Sequence, residues 1–231
     1  MSLPLVLLPG MMCDARLFGP QIVAFSGARE VTVGDITGAS DIGGLAEDVL
    51  KNAPQHFALA GLSMGGIVAM EVIRRAPDRV ARLALLDTNP RAELPAVRAR
   101  RGPQIEAVRA GHLARIMRDE LKPNYIADTP DRAAILDLCM AMALDLGPEV
   151  FERQSIALRD RPDQQDTLRG VSVSALILCG REDRLCPVER HELMHALIPG
   201  SDLVIVEGAG HMPTLERPEE TTAALARWLA D

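Results

Sequence analysis

The sequence contains no long apolar run. Nothing in its 231 residues approaches the ~20 consecutive apolar residues that a membrane-spanning helix requires. The segment LPLVLLPGMMC near the N-terminus is interrupted by Pro9-Gly10 and has no basic residues before it. We therefore expect a buried strand there, not a signal peptide, and no membrane partner.

Cysteine is scarce as well. Cys13, Cys139, Cys179 and Cys186 show no C-x-x-C spacing, and nothing else in the sequence indicates secretion. Free cysteine behaves as a small buried hydrophobe. The pattern therefore predicts reduced thiols in a cytoplasmic protein.

Lysine is nearly missing, since only Lys51 and Lys122 occur among the 25 basic residues. We interpret this arginine bias as the mark of a GC-rich bacterial genome. Acidic residues outnumber basic ones, which gives a net charge of −7 and a pI of about 5.3. That balance argues against nucleic acid as a main partner.

Short apolar runs alternate with helical patterns along most of the chain. Six runs are typical of buried strands: Leu3–Leu8, Glu30–Val33, His56–Leu62, Val80–Leu86, Ala175–Cys179 and Leu203–Val206. Five segments between them predict helices: Asp14–Phe25, Gly43–Ala53, Gly65–Arg75, Pro187–Leu197 and Pro218–Leu229. We predict an α/β fold, in which a mainly parallel sheet is covered by helices on both faces.

The alternation stops between Pro90 and Gly170. This region has helical patterns broken by prolines and no run typical of a strand, and it is too long for an ordinary loop. We therefore predict a core formed by residues 1–89 and 171–231, with residues 90–170 inserted as a helical lid.

The segment Gly61-Leu62-Ser63-Met64-Gly65-Gly66 matches the G-x-S-x-G pattern of a nucleophile elbow. In such an elbow a strand turns sharply into a helix and exposes a strained serine. The predicted strand before Ser63 and the helix after it supply this context. Ser63 is therefore the candidate nucleophile, and it needs an adjacent base.

Five histidines could supply that base. His211 lies in a loop of small residues between the last predicted strand and the last helix, at the sheet edge where active-site groups converge. His191 and His195 share one helix, but no third ligand accompanies them. We select His211 as the base and expect neither a metal nor a cofactor.

The base in turn needs a carboxylate that orients it. Asp183 follows the Ala175–Cys179 strand and is our first choice, with Glu182 as a weaker competitor. Asp87 ends the preceding strand and remains an alternative, since some enzymes of this kind place the acid there.

The order Ser63…Asp183…His211, together with Leu8-Pro9-Gly10-Met11, resembles the α/β-hydrolase superfamily over nearly the whole chain. The first strand here corresponds to the third of the family's plan, so we expect six strands. The resemblance implies an oxyanion hole formed by the backbone amides of Met11 and Met64. Pro9 departs from the family's usual His-Gly and leaves both donors intact.

The resemblance also implies a serine hydrolase that cleaves a small or medium carboxylic ester through an acyl-enzyme. Relatives with the same three residues include carbon–carbon bond hydrolases and lyases, so these remain an alternative. A ligand receptor that does not turn over its ligand is an alternative of another class, because fold does not determine function.

Two compositional features bear on the substrate. Met12, Met140, Met142 and Met212 are candidates for an adaptable apolar acyl pocket, although ordinary filling of the core explains such methionines more often. The lid segment 91–118 carries seven arginines against Glu93 and Glu106. A solvated helix face explains this excess best, and the alternative is recognition of a carboxylate substrate or an acidic carrier domain.

Overall fold

The six apolar runs predicted as strands all form strands in the computed structural model, which describes residues 2–230. Their bounds are β1 (Leu5–Leu8), β2 (Val31–Val33), β3 (Phe57–Leu62), β4 (Val80–Leu86), β5 (Ser174–Gly180) and β6 (Asp202–Val206). They lie in the order β2-β1-β3-β4-β5-β6, and each neighbouring pair is parallel. The predicted α/β fold with a six-stranded parallel sheet is confirmed.

Helices occupy most of the connections between the strands. The α-helices are α1 (Gly19–Phe25), α2 (Ile42–Asn52), α3 (Met64–Arg75), α4 (Pro95–Arg109), α5 (Leu113–Arg115), α6 (Arg132–Arg159), α7 (Gln165–Arg169), α8 (Val188–Leu197), α9 (Pro213–Glu216) and α10 (Pro218–Leu229). Shorter segments are the 3-10 helices Ala15–Phe18, Pro77–Arg79 and Lys122–Asn124 and the π-helix Ile116–Leu121. All five predicted helices are present, the first one divided at Gly19.

Side chains at the helix starts explain several of these bounds. Asp14 accepts a hydrogen bond from the backbone N–H of Arg16 at 2.9 Å, and Asp41 accepts one from Gly44 at 2.8 Å. Pro218 occupies the first turn of α10, where its missing N–H has no cost. Pro187, by contrast, lies just before α8 in an extended conformation.

Alternate side chains of the strands enter apolar clusters on opposite faces of the sheet. Leu59 of β3 belongs to the cluster that contains Val68 of α3, whereas Ala60 belongs to the cluster that contains Leu225 of α10. This alternation follows from the two-residue period of a strand. Both faces are therefore covered by helices, as the continuous apolar strands predict.

Residues 90–170, called the helical insertion below, connect β4 to β5 and contain no strand. They have a small apolar cluster of their own, in which Ile105 of α4, Ile116 and Phe151 of α6 surround Met12 from the core. Helix α6 is interrupted at Gly147, whose φ of +83° favours glycine. Within residues 2–230, no helix is both long and apolar enough to cross a membrane.

The backbone of α3 packs directly against the end of β1 at Gly65. A Cβ added at Gly65 would lie 2.0 Å from the Leu8 carbonyl oxygen and 2.6 Å from that of Pro9. Because backbone cannot move aside easily, we expect Gly65→Ala to lower the free energy of unfolding by about 1–3 kcal/mol or more. Urea denaturation measures this difference.

The matched control is Gly27→Ala, where an added Cβ meets nothing within 4 Å. We expect that substitution to be neutral or stabilising by up to about 1 kcal/mol, because alanine restricts the unfolded chain. Equal denaturation midpoints for the two variants would contradict the role given to Gly65.

Candidate active site

Ser63 lies alone between the end of β3 and the start of α3. Its φ of +54° and ψ of −114° belong to neither a strand nor a helix. For a residue with a side chain such a conformation costs of order 1–3 kcal/mol, so the surrounding structure has to hold it. This is the strained turn that the G-x-S-x-G pattern predicts.

The glycines around Ser63 are required by close backbone contacts. A Cβ at Gly61 would lie 2.3 Å from the Gly65 carbonyl oxygen, and one at Gly66 would lie 2.7 Å from the side chain of Thr88. The Thr88 hydroxyl also donates to the Ser63 carbonyl oxygen at 2.6 Å. The turn is therefore held both by its own backbone contacts and by Thr88, which follows the neighbouring strand β4.

The structure brings Ser63, His211 and Asp183 into one chain of hydrogen bonds. His211 Nε2 lies 2.9 Å from Ser63 Oγ, and His211 Nδ1 lies 2.8 Å from Asp183 Oδ2. A carboxylate can only accept, so Nδ1 carries the proton and Nε2 is left to accept from the serine hydroxyl. Both His211 and Asp183 are buried, at 2% and 4% exposure. This is the tautomer that a general base at His211 requires.

Asp183 is held as an anion. Its Oδ1 accepts hydrogen bonds from the backbone N–H groups of Leu185 at 2.8 Å and Cys186 at 3.0 Å. Burial by itself raises the pKa of this carboxyl, but His211 and these backbone donors outweigh it, and the pKa falls below its usual value.

Asp87, the alternative acid, has a different environment. It is fully buried, its Oδ1 accepts from the Gly180 N–H at 2.9 Å, and its Oδ2 has no hydrogen-bond partner. Burial and the nearby charge of Asp183 raise its pKa well above the usual value. The opposite directions of these two pKa shifts favour a protonated Asp87 beside an ionised Asp183. Glu182, the weaker competitor, is exposed.

The loop after β1 lies beside Ser63. A Cβ added at Gly10 of this loop would be 3.5 Å from Ser63 Cβ. In this loop the Met12 N–H donates to Gln154 and the Cys13 N–H donates to the Gly10 carbonyl. Among residues 2–230, no backbone hydrogen bond uses the N–H groups of Met11 or Met64. The N–H groups of both amides predicted for the oxyanion hole are therefore free to donate to a substrate.

Gln154 and Glu216 are two buried residues that the sequence reasoning missed. Gln154 of α6 accepts from Met12 N–H at 2.8 Å and donates to the Ile36 carbonyl at 3.0 Å, so the helical insertion shapes the loop after β1. Neither residue belongs to a motif that would have identified it in the sequence.

Glu216 fastens the loop that carries His211. Its carboxylate accepts from the N–H groups of Ala127 at 2.8 Å, Gly210 at 2.9 Å and Met212 at 2.9 Å. Burial raises the pKa of Glu216, although these three donors oppose the rise. Because Ala127 belongs to the helical insertion, one carboxylate joins the insertion to the His211 loop.

A cavity of about 240 Å³ opens beside Ser63 and His211. Met11 and Met212 line it, together with apolar residues of the helical insertion. The structure corrects the prediction for the three other methionines, Met12, Met140 and Met142, which lie outside this lining. Met12 and Met142 are fully enclosed in apolar clusters, and Met140 packs against one, so they fill the core.

Two observations bear on metal binding. His191 is buried, accepts from the Thr88 N–H at 3.1 Å and has its pKa lowered by burial to about 4, so it is a neutral structural residue. Potential ligand atoms of Asp183, Cys186 and His211 lie within 4.8 Å of one another. Asp183 and His211 are already bonded to each other, and burial raises the pKa of the Cys186 thiol. Asp183, Cys186 and His211 are therefore not arranged to bind a metal ion.

A sequence model of the alpha/beta hydrolase family matches residues 5–225. The chain is 25% identical over 250 residues to the pimeloyl-(acyl-carrier protein) methyl ester esterase of Aliivibrio salmonicida, covering 97% of this chain and 91% of that protein. It is 28% identical over 193 residues to the enzyme of the same name from Neisseria meningitidis serogroup B, covering 79% and 72%.

Solved structures agree with this placement. A thermophilic esterase from Thermogutta terrifontis, with malate bound, superposes with a TM-score of 0.91 at 30% identity, covering 99% of this chain and 90% of that chain. The enol-lactonase of Burkholderia xenovorans LB400 superposes with a TM-score of 0.87 at 23% identity, covering 100% and 92%, which shows the shared fold.

The two aspartates should respond differently to substitution. We expect Asp183→Asn to slow the reaction of Ser63 with a fluorophosphonate by roughly 10⁴-fold, because the amide favours the wrong tautomer of His211. Asp87→Asn should change the rate only slightly, because an amide resembles the neutral acid and can still accept from Gly180. Mass spectrometry of the labelled serine gives both rates. The reverse ranking would move the orienting role to Asp87.

Proposed function

Because the chain belongs to the alpha/beta hydrolase family, we propose that it is an ester hydrolase with Ser63 as its nucleophile, His211 as its general base and Asp183 as the carboxylate that orients the base. The observation that carries this proposal is the chain of hydrogen bonds from Ser63 Oγ through His211 to Asp183, which opens into a cavity. The names of the relatives, which are esterases, support the same reaction.

In the first half of the reaction the Ser63 hydroxyl gives its proton to His211 Nε2 as Oγ attacks the ester carbonyl. Asp183, already an anion, stabilises the imidazolium that forms. The oxyanion accepts hydrogen bonds from the Met11 and Met64 amides, each worth about 3 kcal/mol of barrier. His211 then protonates the leaving alkoxide, the carbon–oxygen bond breaks, and an acyl-enzyme remains.

In the second half, water replaces the alcohol. His211 Nε2 takes a proton from the water molecule as the water oxygen attacks the acyl carbon. The second tetrahedral intermediate collapses, Ser63 Oγ leaves with the proton from His211, and the carboxylic acid is released.

The helical insertion acts as a lid in this proposal, with residues 1–89 and 171–231 as the core. Leu94, Val97, Leu121 and Leu158 of the insertion line the cavity opposite Ser63 and His211 of the core. A cavity of about 240 Å³ lies below the ~300–1,000 Å³ of sites for drug-sized ligands. The substrate is therefore an ester with a small or medium acyl group.

An acidic carrier domain is a weaker candidate for a partner. Most of the exposed arginines on the lid are already in ion pairs: Arg98 with Asp160, Arg109 with Glu152, Arg115 with Glu120 and Arg118 with Asp119. These contacts support the interpretation of the arginine-rich segment as a solvated helix face.

We further propose a cytoplasmic location, which rests on the four cysteines being free thiols.

Ser63→Ala tests the nucleophile. We expect it to abolish turnover of p-nitrophenyl butyrate while the thermal unfolding temperature stays close to that of the wild type, because the elbow serine contributes chemistry and little packing. A fluorophosphonate should label the wild type at Ser63 and leave this variant unlabelled. Ser40→Ala, which alters an exposed serine, serves as the control and should behave as wild type.

Turnover number separates an enzyme from a receptor. A hydrolase should release many equivalents of p-nitrophenol for each protein molecule, whereas a receptor would release one equivalent slowly. Unchanged hydrolysis by Ser63→Ala, or a single slow cycle by the wild type, would contradict the proposed function.

The size of the cavity predicts a chain-length profile among neutral p-nitrophenyl esters from acetate to decanoate. Each methylene taken out of water gains about 0.8 kcal/mol, so kcat/KM should rise roughly threefold to fourfold per added carbon until the cavity is full. It should then fall. An optimum at long chains, or a flat profile, would show that the lid does not enclose the acyl group.

A further inference from the structure

The cavity wall is positively charged although the whole chain is not. Four arginines line the cavity, namely Arg100, Arg101, Arg161 and Arg190, against the two glutamates Glu93 and Glu120. The net charge of the chain is −7. Low-dielectric walls focus such a local excess of one charge inside a cleft.

Each of the two glutamates is already paired with a guanidinium group. Glu93 accepts from Arg101 at 2.8 Å and from Arg161 at 3.0 Å, and all three side chains are largely buried. One carboxylate between two guanidinium groups leaves this trio with one positive charge in excess.

Glu120 bonds to residues other than the remaining cavity arginines. One of its oxygens pairs with Arg115 at 3.2 Å, and the other accepts from the Gln104 amide at 3.0 Å. It is therefore not available to neutralise Arg100 or Arg190.

Arg100 and Arg190 keep their charges unpaired. No ion pair within residues 2–230 involves either side chain. Arg190 lies in the first turn of α8 and is partly buried, whereas Arg100 of α4 lines the cavity while remaining exposed. An unpaired guanidinium at a cavity wall is available to an anionic group of a ligand.

Arg190 lines the same cavity as Ser63 and His211. Cys186 and Arg161 line this cavity with Arg190. Cys186 follows Asp183 by three residues, and its N–H donates to that carboxylate. A substrate bound at Ser63 therefore shares one cavity of about 240 Å³ with Arg190.

We propose that the cavity binds an ester whose acyl chain ends in a free carboxylate, with Arg190 as the main recognition residue and Arg100 as an exposed contributor. The inference rests on the proposed function and specifies its substrate class, a monoester of a short dicarboxylic acid. A planar guanidinium matches a carboxylate with two parallel hydrogen bonds. Apolar lining residues such as Met11 and Leu185 would contact the methylene chain.

Kinetics on matched esters provides the test. Monomethyl esters of succinate, glutarate, adipate and pimelate are compared with the dimethyl ester of each acid, so that only the distal charge differs. For the wild type we expect kcat/KM of the best monoester to exceed that of its dimethyl ester by about tenfold to a hundredfold, as one charge-assisted hydrogen bond supplies. The preference should shrink as salt is raised.

Variants assign the preference to residues. Arg190→Gln should remove most of it, measured as the ratio of kcat/KM for the monoester to kcat/KM for its dimethyl ester. Arg100→Gln should reduce it only a few fold, because an exposed charge is screened by solvent. The matched control is Arg98→Gln in the same helix, an exposed arginine paired with Asp160, which should leave the preference unchanged.

A binding experiment keeps this inference separate from the proposed reaction. Calorimetric titration of Ser63→Ala protein with monomethyl adipate and dimethyl adipate measures recognition without turnover. Tighter binding of the monoester that is lost in Ser63→Ala/Arg190→Gln supports the carboxylate site even if no ester is hydrolysed. Equal binding of both esters, or a preference that survives loss of Arg190 and Arg100, overturns it, while hydrolysis of neutral esters would still uphold the esterase.

Discussion

The approach of α3 to the end of β1 is the constraint on which the site depends. Gly65 lies so close to the Leu8 carbonyl that no side chain fits between them. This contact sets the depth of the turn that holds Ser63 at a positive φ. It also brings the loop after β1 beside the serine, since a Cβ added at Gly10 would lie 3.5 Å from Ser63 Cβ. One backbone contact thus positions both the Ser63 turn and the loop that carries Met11.

Electrostatics at the carboxyl ends of β4 and β5 then separates two neighbouring aspartates. Two buried carboxylates cannot both ionise at short range without strong repulsion. Asp183 has His211 and two backbone donors, whereas Asp87 has a single backbone donor and one oxygen without a partner. The negative charge is therefore favoured on Asp183, the residue that contacts His211. Asp87 provides a neutral neighbour that avoids a second charge beside it.

Much of the fold could be predicted because its signals are local. In a continuous apolar run such as Phe57–Leu62, side chains on both faces of the strand are apolar, so such a run is typical of a sheet covered on both faces. Contacts made by single side chains across the molecule could not be predicted. Gln154 and Glu216 look ordinary in the sequence, and only the packing of α6 and the His211 loop makes them hydrogen-bond centres. Met12 and Met142 resemble pocket residues in the sequence, yet they fill apolar clusters.

By itself the sequence determined the α/β class, the six strands, the position of the insertion and the identity of Ser63, His211 and Asp183 as candidates, because spacing, glycine placement and strand order are encoded within short segments. Their chemical roles stay predictions. Tertiary structure alone decided which aspartate contacts His211, which methionines reach the cavity and which arginines remain unpaired. Those outcomes depend on distances between residues far apart in the chain, where a shift of a few ångströms exchanges an ion pair for a free charge.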